Sequence, residues 1–230
     1  MEINLRSILT SSGRKNCEEN VLQDYLSTIY RLESVYGVAK TSKIAEELNV
    51  TPATVTKMVR KLEKVGLVRY DKYRGTNLTE SGKKIAVKVV WKHRVCECFL
   101  RSFLNMDMYK VHIYAHAMEH LPDEVILKIY DIAGRPLYCP HGNPIATLEV
   151  CARRGEILAK CASPGARYRV VRILGEFSRT LKIFQRYGID VSKIIRVIEV
   201  RNGRIVTATE TRSNIELTRE QAELIEVEVA

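Results

Sequence analysis

The sequence predicts a mainly α N-terminal part, a winged helix-turn-helix followed by a helical dimerisation domain, and then a small C-terminal β-barrel. Three observations carry this expectation. Apolar residues recur at three- and four-residue steps through the first half of the chain. Two short helical patterns joined by a tight turn run directly into a basic hairpin. Beyond residue 146 the pattern changes to short Val/Ile-rich runs separated by turn residues.

Residues 1–19 are mixed and polar and read as an arm. From Asn20, the residues Val21, Leu22, Tyr25, Leu26, Ile29, Tyr30 and Leu32 form one apolar helical stripe, which Gly37 ends. Thr41 opens a short helix with Ile44, Ala45 and Leu48 inward. Asn49-Val50 turns the chain. Thr51 then caps a second helix with Pro52 at its first position, where a missing N–H costs nothing. That helix buries Val55, Met58, Val59 and Leu62 and exposes Ala53, Thr54, Thr56, Lys57, Arg60 and Lys61. Small residues at its start suit a major groove, and its cations suit phosphates. Leu67–Tyr70 and Thr76–Leu78 form a hairpin whose tip carries Lys72 and Arg74. The expected DNA-contacting set is therefore Thr51, Pro52, Ala53, Thr54, Thr56, Lys57, Arg60, Lys72 and Arg74. Winged helix-turn-helix character spans residues 20–82.

Thr79 or Ser81 starts a long helix whose face of Ile85, Val89, Val90, Phe99, Leu100 and Phe103 exceeds what one winged module can bury, so a homodimer is expected. Residues 83–145 make up this helical region, ending in a Pro-rich linker at 133–145. Tyr168–Leu174 reads as a strand, and Phe177–Tyr187 as a helix ended by Gly188. Lys193–Val200 and Arg204–Thr211 flank Asn202-Gly203, a type I′ hairpin signal. Asn214–Leu217 and Ala222–Val229 add strands to a C-terminal domain over 146–230.

The 230 residues suffice for a large core and two or more domains. Net charge is +10, and residues 38–94 hold fourteen Lys/Arg against five Asp/Glu, so nearly all the excess sits there and points to a polyanion. No apolar run reaches the ~18 residues that span a bilayer, and the N-terminus lacks a secretory signal's apolar stretch. A cytoplasmic protein with no membrane partner is expected. The six cysteines contain no CxxC pair, which disfavours a zinc ribbon. Reduced thiols are expected, with Cys96 and Cys98 as packing residues.

The stretch Lys110–Glu124 concentrates chemistry. Read as one helix ending near Pro122, it stacks His112, His116 and His120 at i, i+4 and i+8, with Glu119 beside them. His93 and Glu97 form another i, i+4 pair. Imidazoles and carboxylates gathered in this way suit a divalent first-row transition metal. Cys139-Pro-His141-Gly reads as a rigid turn rather than a metal hook. No nucleophile elbow, P-loop or paired acid–base motif is present, so no catalysis is expected. Two alternatives stay open: a winged-helix regulator not controlled by metal, and a metal-dependent hydrolase or oxygenase built on the His/Glu cluster.

The stretches QDYLSTIYRLE (23–33), SKIAEELNVTPATVTKMVRKLEKVGLVRYDKYRGTNLTESGKK (42–84), KHRVCECFL (92–100), KVHIYAHAMEHLPDEV (110–125) and PHGNPI (140–145) resemble the diphtheria toxin repressor family of metal-activated transcriptional repressors. The last 80 or so residues resemble that family's SH3-like, ferrous-transport-A-type domain. The resemblance implies a repressor of metal-uptake genes that binds double-stranded operator DNA as a homodimer when Mn2+ or Fe2+ is abundant. Zn2+, Co2+ or Ni2+ would substitute in vitro. It also implies one metal site of Asp24, His116, Glu119 and His120, and a second of His93, Glu97 and His112 with help from the C-terminal domain, where Glu176 is a weak candidate. Two departures stand out. Ser27 occupies a position where one branch has a carboxylate. Asp24 and His116 stand where another branch has Met and Cys, and these harder O and N donors favour Mn2+ or Fe2+.

Overall fold

The computed structural model describes residues 11–145 and 155–230, with side chains from Cys17 onward. The chain divides into two compact units, Met1–Val89 and Val90–Ala230.

In the first unit, α1 (Ser11–Tyr36) begins nine residues before the expected start at Asn20, so helix occupies much of the stretch read as an arm. Tyr25, Leu26, Ile29 and Leu32 are buried along it. Next come α2 (Thr41–Glu47) and α3 (Pro52–Lys64). Thr51 caps α3 by accepting a hydrogen bond from the Thr54 amide at 3.2 Å, and Pro52 opens the helix. Val55, Val59 and Leu62 face inward with no exposed surface. Strands β1 (Val68–Asp71) and β2 (Gly75–Leu78) form the antiparallel hairpin. Its base is fixed twice. Ala39 and Thr76 exchange backbone hydrogen bonds of 3.0 and 2.9 Å. Glu33 of α1 accepts from the Leu78 amide and from the Asn77 side chain, at 3.2 and 3.0 Å.

Helix α4 (Glu80–Leu104) carries the chain into the second unit, and the Thr79 hydroxyl caps it by accepting from the Gly82 amide at 3.2 Å. In that unit α5 (Met108–Met118) starts at Asp107, whose carboxylate accepts from the Lys110 amide at 2.8 Å. Helix α6 (Asp123–Ile132) follows directly on Pro122, its N-cap residue. The expected single helix running to Pro122 is therefore broken: α5 stops at Met118, Glu119 caps it, and His120 lies in the turn before α6. Pro122 has no N–H to continue α5, and its fixed φ suits the entry to the next helix. Lys92 braces this turn through bonds of 2.8 Å to the Leu121 carbonyl and 2.7 Å to Asp123. Val95, Cys96, Leu100, Val111, Ala115 and Ile126 form the helical core, joined by Cys98, Cys139 and Ile145.

The same unit continues with β3 (Glu156–Ile157), α7 (Leu158–Cys161), β4 (Arg167–Ile173), α8 (Ser178–Tyr187), β5 (Ile194–Arg201), β6 (Arg204–Ala208), β7 (Ile215–Thr218), α9 (Arg219–Glu223) and β8 (Ile225–Val229). The strands form one six-stranded antiparallel sheet in the order β3-β8-β4-β5-β6-β7. β3 and β7 are its edges, and among the described residues it does not close into the expected barrel. Residues 147–154 of the stretch 147–158, where the sequence suggests a partial helix or strand, lie outside the described residues. Asn202 and Gly203 both have positive φ (48° and 72°), as a type I′ turn needs. Gly188 ends α8 in the left-handed conformation at φ 69°. The segment expected as one strand over Ala222–Val229 starts as helix because Thr218 and Gln221 form a capping box. Val170, Ile173, Ile195, Val197, Ile225 and Val227 pack with Leu181 and Phe184 of α8 and Met108 of α5.

Candidate metal centre and nucleic-acid interface

The second unit buries a contiguous cluster of imidazoles and carboxylates. His93 and Glu97 lie one turn apart on α4, and both are buried. His93 Nε2 is 3.0 Å from Glu97 Oε1 and 3.0 Å from His112 Nδ1, while its Nδ1 lies 2.5 Å from Glu119 Oε2. His116, one turn after His112 on α5, places Nδ1 3.4 Å from the same Glu119 oxygen. Donor atoms of His93, His112 and His116 fall within 4.8 Å of one another. His120 reaches Glu119 Oε1 only at 4.0 Å. Glu119 Oε1 is buried and makes no hydrogen bond.

Glu97 does more than the sequence suggested. Its Oε1 faces His93 and His112, while its Oε2 lies 3.1 Å from His141 Nδ1. Glu97, Cys139, His141 and Glu176 are all buried, with donor atoms within 4.8 Å of one another. The Cys139-Pro-His141-Gly stretch is thus a turn, but not a turn alone: it brings a thiol and an imidazole to a second donor cluster. His141 Nε2 bonds to the Met108 carbonyl at 3.2 Å, which leaves Nδ1 directed at the cluster. Cys139 Sγ lies 3.3 Å from Glu176 Oε1.

Local backbone geometry places these side chains. Gly142 has φ 80°, and a Cβ there would sit 2.3 Å from the Val171 carbonyl oxygen, so only glycine lets the turn lie against β4. The Ile173 amide donates to the His141 carbonyl at 2.8 Å, and the Asn143 side chain returns a bond to the Ile173 carbonyl at 2.8 Å. Glu176 itself is left-handed at φ 51°, a conformation that costs a side chain of this type about 1–3 kcal/mol. Arg94 holds its carboxylate through Nε and Nη2 at 3.1 and 3.4 Å, and donates Nη1 to the Pro144 carbonyl at 2.8 Å. In the KHR motif, Lys92 braces the turn, His93 joins the cluster and Arg94 orients Glu176.

The electrostatics define what the cluster accepts. Burial pushes the His93 imidazolium down, but the charges of Glu97 and Glu119 and their hydrogen bonds outweigh it and raise the pKa to about 9. Burial pushes Glu97 up, yet His141 and His93 hold it well below the usual carboxylate range. Glu176 is held at about 2, mainly by Arg94 working against burial. Burial, reinforced by the Glu176 and Glu97 charges, keeps the Cys139 thiol well above its ordinary value. The cluster thus holds ionised carboxylates in a buried space where they demand positive charge. Protons on histidines meet part of that demand, and the unbonded Glu119 oxygen and the shared Glu97 have the donor chemistry to bind a divalent cation.

Of the residues expected at metal sites, His93, Glu97, His112, His116 and Glu119 converge, with His120 next to Glu119. Asp24 lies half-buried on α1 in the first unit. His93, His112 and Glu97, expected to share a site, place their ring nitrogens and a carboxylate oxygen 3.0–3.3 Å apart, and Glu97 also belongs to the set containing Cys139, His141 and Glu176. Cys139 and His141 were not expected there. A Cys and a His two residues apart, followed by glycine, were the available signal, and a rigid turn was the favoured reading of that pattern.

In the first unit, Ala53, Thr54, Lys57 and Arg60 are exposed on one side of α3, and Lys72 and Arg74 are exposed on the hairpin. Thr56 is half-buried, with its hydroxyl donating to the Pro52 carbonyl at 2.9 Å. Thr51 and Thr54 hydroxyls lie 2.9 Å apart, so Thr51 serves first as a cap.

A winged helix-turn-helix in one unit and a buried imidazole–carboxylate cluster in the other define a metal-dependent DNA-binding regulator. Residues 19–76 match the family of the iron-dependent repressor N-terminal DNA-binding domain, and residues 79–147 match its metal-binding and dimerisation domain. The chain is 31% identical over 222 residues to the diphtheria toxin repressor of Corynebacterium glutamicum, covering 89% of this chain and 94% of that one. Over 99 residues it is 43% identical to the transcriptional regulator MntR of Bacillus velezensis, covering 43% of this chain and 69% of that one. Among solved structures, a manganese-dependent transcriptional repressor in complex with manganese matches with a TM-score of 0.70 and 29% identity, covering 91% of this chain and all 100% of that one. The manganese regulator SloR matches with a TM-score of 0.74 and 26% identity, covering 91% and 98%. The chain belongs to the diphtheria toxin repressor family of metal-dependent transcriptional regulators.

Proposed function

We propose that this chain is a homodimeric repressor, activated by Mn2+ or Fe2+, that binds operator DNA and silences metal-uptake genes. The observation that carries this reading is Glu97, whose two oxygens face separate donor sets in a buried site. One set uses His93, His112 and His116 with Glu119. The other uses Cys139, His141 and Glu176. Asp24 and His120 join the first set on the strength of the family resemblance. The donors are mostly oxygen and nitrogen, which suits Mn2+ or Fe2+, and the single thiol adds affinity for softer ions such as Zn2+. Arg94, the Met108 carbonyl and Ser178, 3.2 Å from His112 Nε2, orient the donors.

In this reading α3 enters the major groove. Ala53, Thr54 and Thr56 meet base edges, and Lys57, Arg60, Lys72 and Arg74 meet phosphates. Thr51 and Pro52 set the start of the helix. The C-terminal sheet acts as an SH3-like domain that supplies Glu176. The protein acts in the cytoplasm and catalyses nothing. Among the described residues no helix is long and apolar enough to cross a membrane. The test is calorimetry with Mn2+, Fe2+ and Zn2+ on the wild type and Glu97→Gln. The proposal expects the variant to lose most Mn2+ affinity while remaining folded. Wild-type affinity for Mn2+ in Glu97→Gln would refute it.

A further inference from the structure

Tyr73 is 90% exposed, the most exposed large apolar side chain among the described residues. It stands at the centre of the three-residue tip between β1 and β2, flanked by the exposed Lys72 and Arg74. The tip is shaped in advance. Asp71 Oδ1 accepts hydrogen bonds from the Tyr73 and Arg74 amides at 2.8 and 3.0 Å, an Asx turn that fixes where both side chains leave the chain. Gly75 follows at φ 122°, where a Cβ would lie 2.8 Å from the Ala39 carbonyl oxygen, so the strand after the tip lies directly on Ala39, two residues before α2. With the Ala39–Thr76 bonds and the Glu33 anchor, the hairpin is fixed at base and tip. A rigid tip loses little conformational entropy when it binds.

An exposed aromatic ring with Lys72 Nζ 5.8 Å from its centroid and Arg74 next in the chain fits a partner that offers negative charge beside an apolar slot. The minor groove of duplex DNA has that form, with sugar and base edges between two phosphate rows. We infer that Tyr73 inserts its ring into the minor groove beside the major-groove site of α3, while Lys72 and Arg74 bind the flanking phosphates. The inference rests on the reading of the chain as a DNA-binding protein. It adds an apolar, groove-width-sensitive contact to an interface otherwise made of cations and small polar residues, and it predicts preference at base pairs α3 does not reach.

The test uses full-length protein with Mn2+ and a duplex that the wild type recovers from a randomised pool. Tyr73→Ala should weaken binding about tenfold with an unchanged salt slope, whereas Arg74→Ala should reduce the slope by about one. Tyr73→Phe should stay within about twofold of wild type, because the ring and not the hydroxyl makes the contact. Replacing inosine by guanine in the sequence flanking each half-site adds only a 2-amino group to the minor groove. That change should weaken wild-type binding and leave Tyr73→Ala unaffected. Tyr73→Ala binding as wild type, Tyr73→Phe losing as much as Tyr73→Ala, or an equal guanine penalty in Tyr73→Ala and wild type would each overturn the inference. Failure of the wild type to recover any duplex would instead overturn the DNA-binding reading itself.

Discussion

Glu97 is the residue on which the metal reading turns, because one buried carboxylate serves two donor sets. Its neighbour His93 makes that reading measurable. With a pKa raised to about 9, His93 carries a proton at neutral pH in the metal-free protein, and metal must displace it. Mn2+ binding at pH 7 should therefore release protons, seen as a buffer-dependent heat in calorimetry. Affinity should climb by up to about tenfold per pH unit toward pH ~9 and flatten above it. The same proton stabilises the metal-free fold. Because the folded pKa lies above the unfolded one, that contribution is complete below about 6.5 and disappears as pH rises through about 9. Cys139→Ser, His141→Ala and Glu176→Gln address the second set. Each should bind about one ion fewer per chain than wild type by elemental analysis, while the ion at His93, His112 and His116 remains.

At the scale of elements, the turn against β4 is the most informative. Gly142→Ala would bring a Cβ onto the Val171 carbonyl in a left-handed conformation. It should destabilise the second unit by about 2 kcal/mol or more in chemical denaturation and lower metal content with it, because His141 is fixed by the same turn. In the first unit, Arg60→Ala should lower the salt slope of DNA binding by about one with little change in stability, since Arg60 is exposed and outside the core.

Much of this architecture was legible because local rules decided it. Thr51-Pro52, Asn202-Gly203 and Gly188 fix caps and turns within a few residues, and the α3 stripe of Val55, Val59 and Leu62 admits one reading. The convergence of His93, Glu97, His112, His116 and Glu119 could be anticipated because imidazole and carboxylate recur at helical spacing. What was hidden depended on distant packing. His120 leaves the helix because Pro122 starts a new one. Glu176 and Cys139 lie 37 residues apart and meet only because Arg94 and β4 hold both segments. The first turns of α1 resemble a polar arm in composition, and their helical state is not written in an apolar stripe.

At the scale of the whole molecule, the helical region leaves Phe103, Leu104, Ile113, Tyr114, Leu127 and Ile132 substantially exposed. A surface of that character in a domain of the dimerising class favours self-association. Full-length protein should sediment as a dimer at micromolar concentration, and a Phe103→Glu, Leu104→Glu double variant should sediment as a monomer with its helix content intact. A dimer presents two copies of α3, which must meet half-sites about one DNA turn, ~34 Å, apart. Metal can control DNA binding without touching DNA if it binds more tightly to the dimer state with that spacing. By linkage, DNA should then tighten metal binding by the same factor.

The most direct test is a fluorescence-anisotropy titration of wild type and Glu97→Gln, at equal dimer concentration and fixed salt, against a duplex recovered by the wild type with Mn2+. Each protein is measured with EDTA and with saturating Mn2+. Mn2+ should tighten wild-type binding by about tenfold or more, a coupling of at least ~1.4 kcal/mol, while Glu97→Gln stays near the EDTA value under both conditions. Wild-type protein that binds the duplex equally well in EDTA and in Mn2+ would contradict the account.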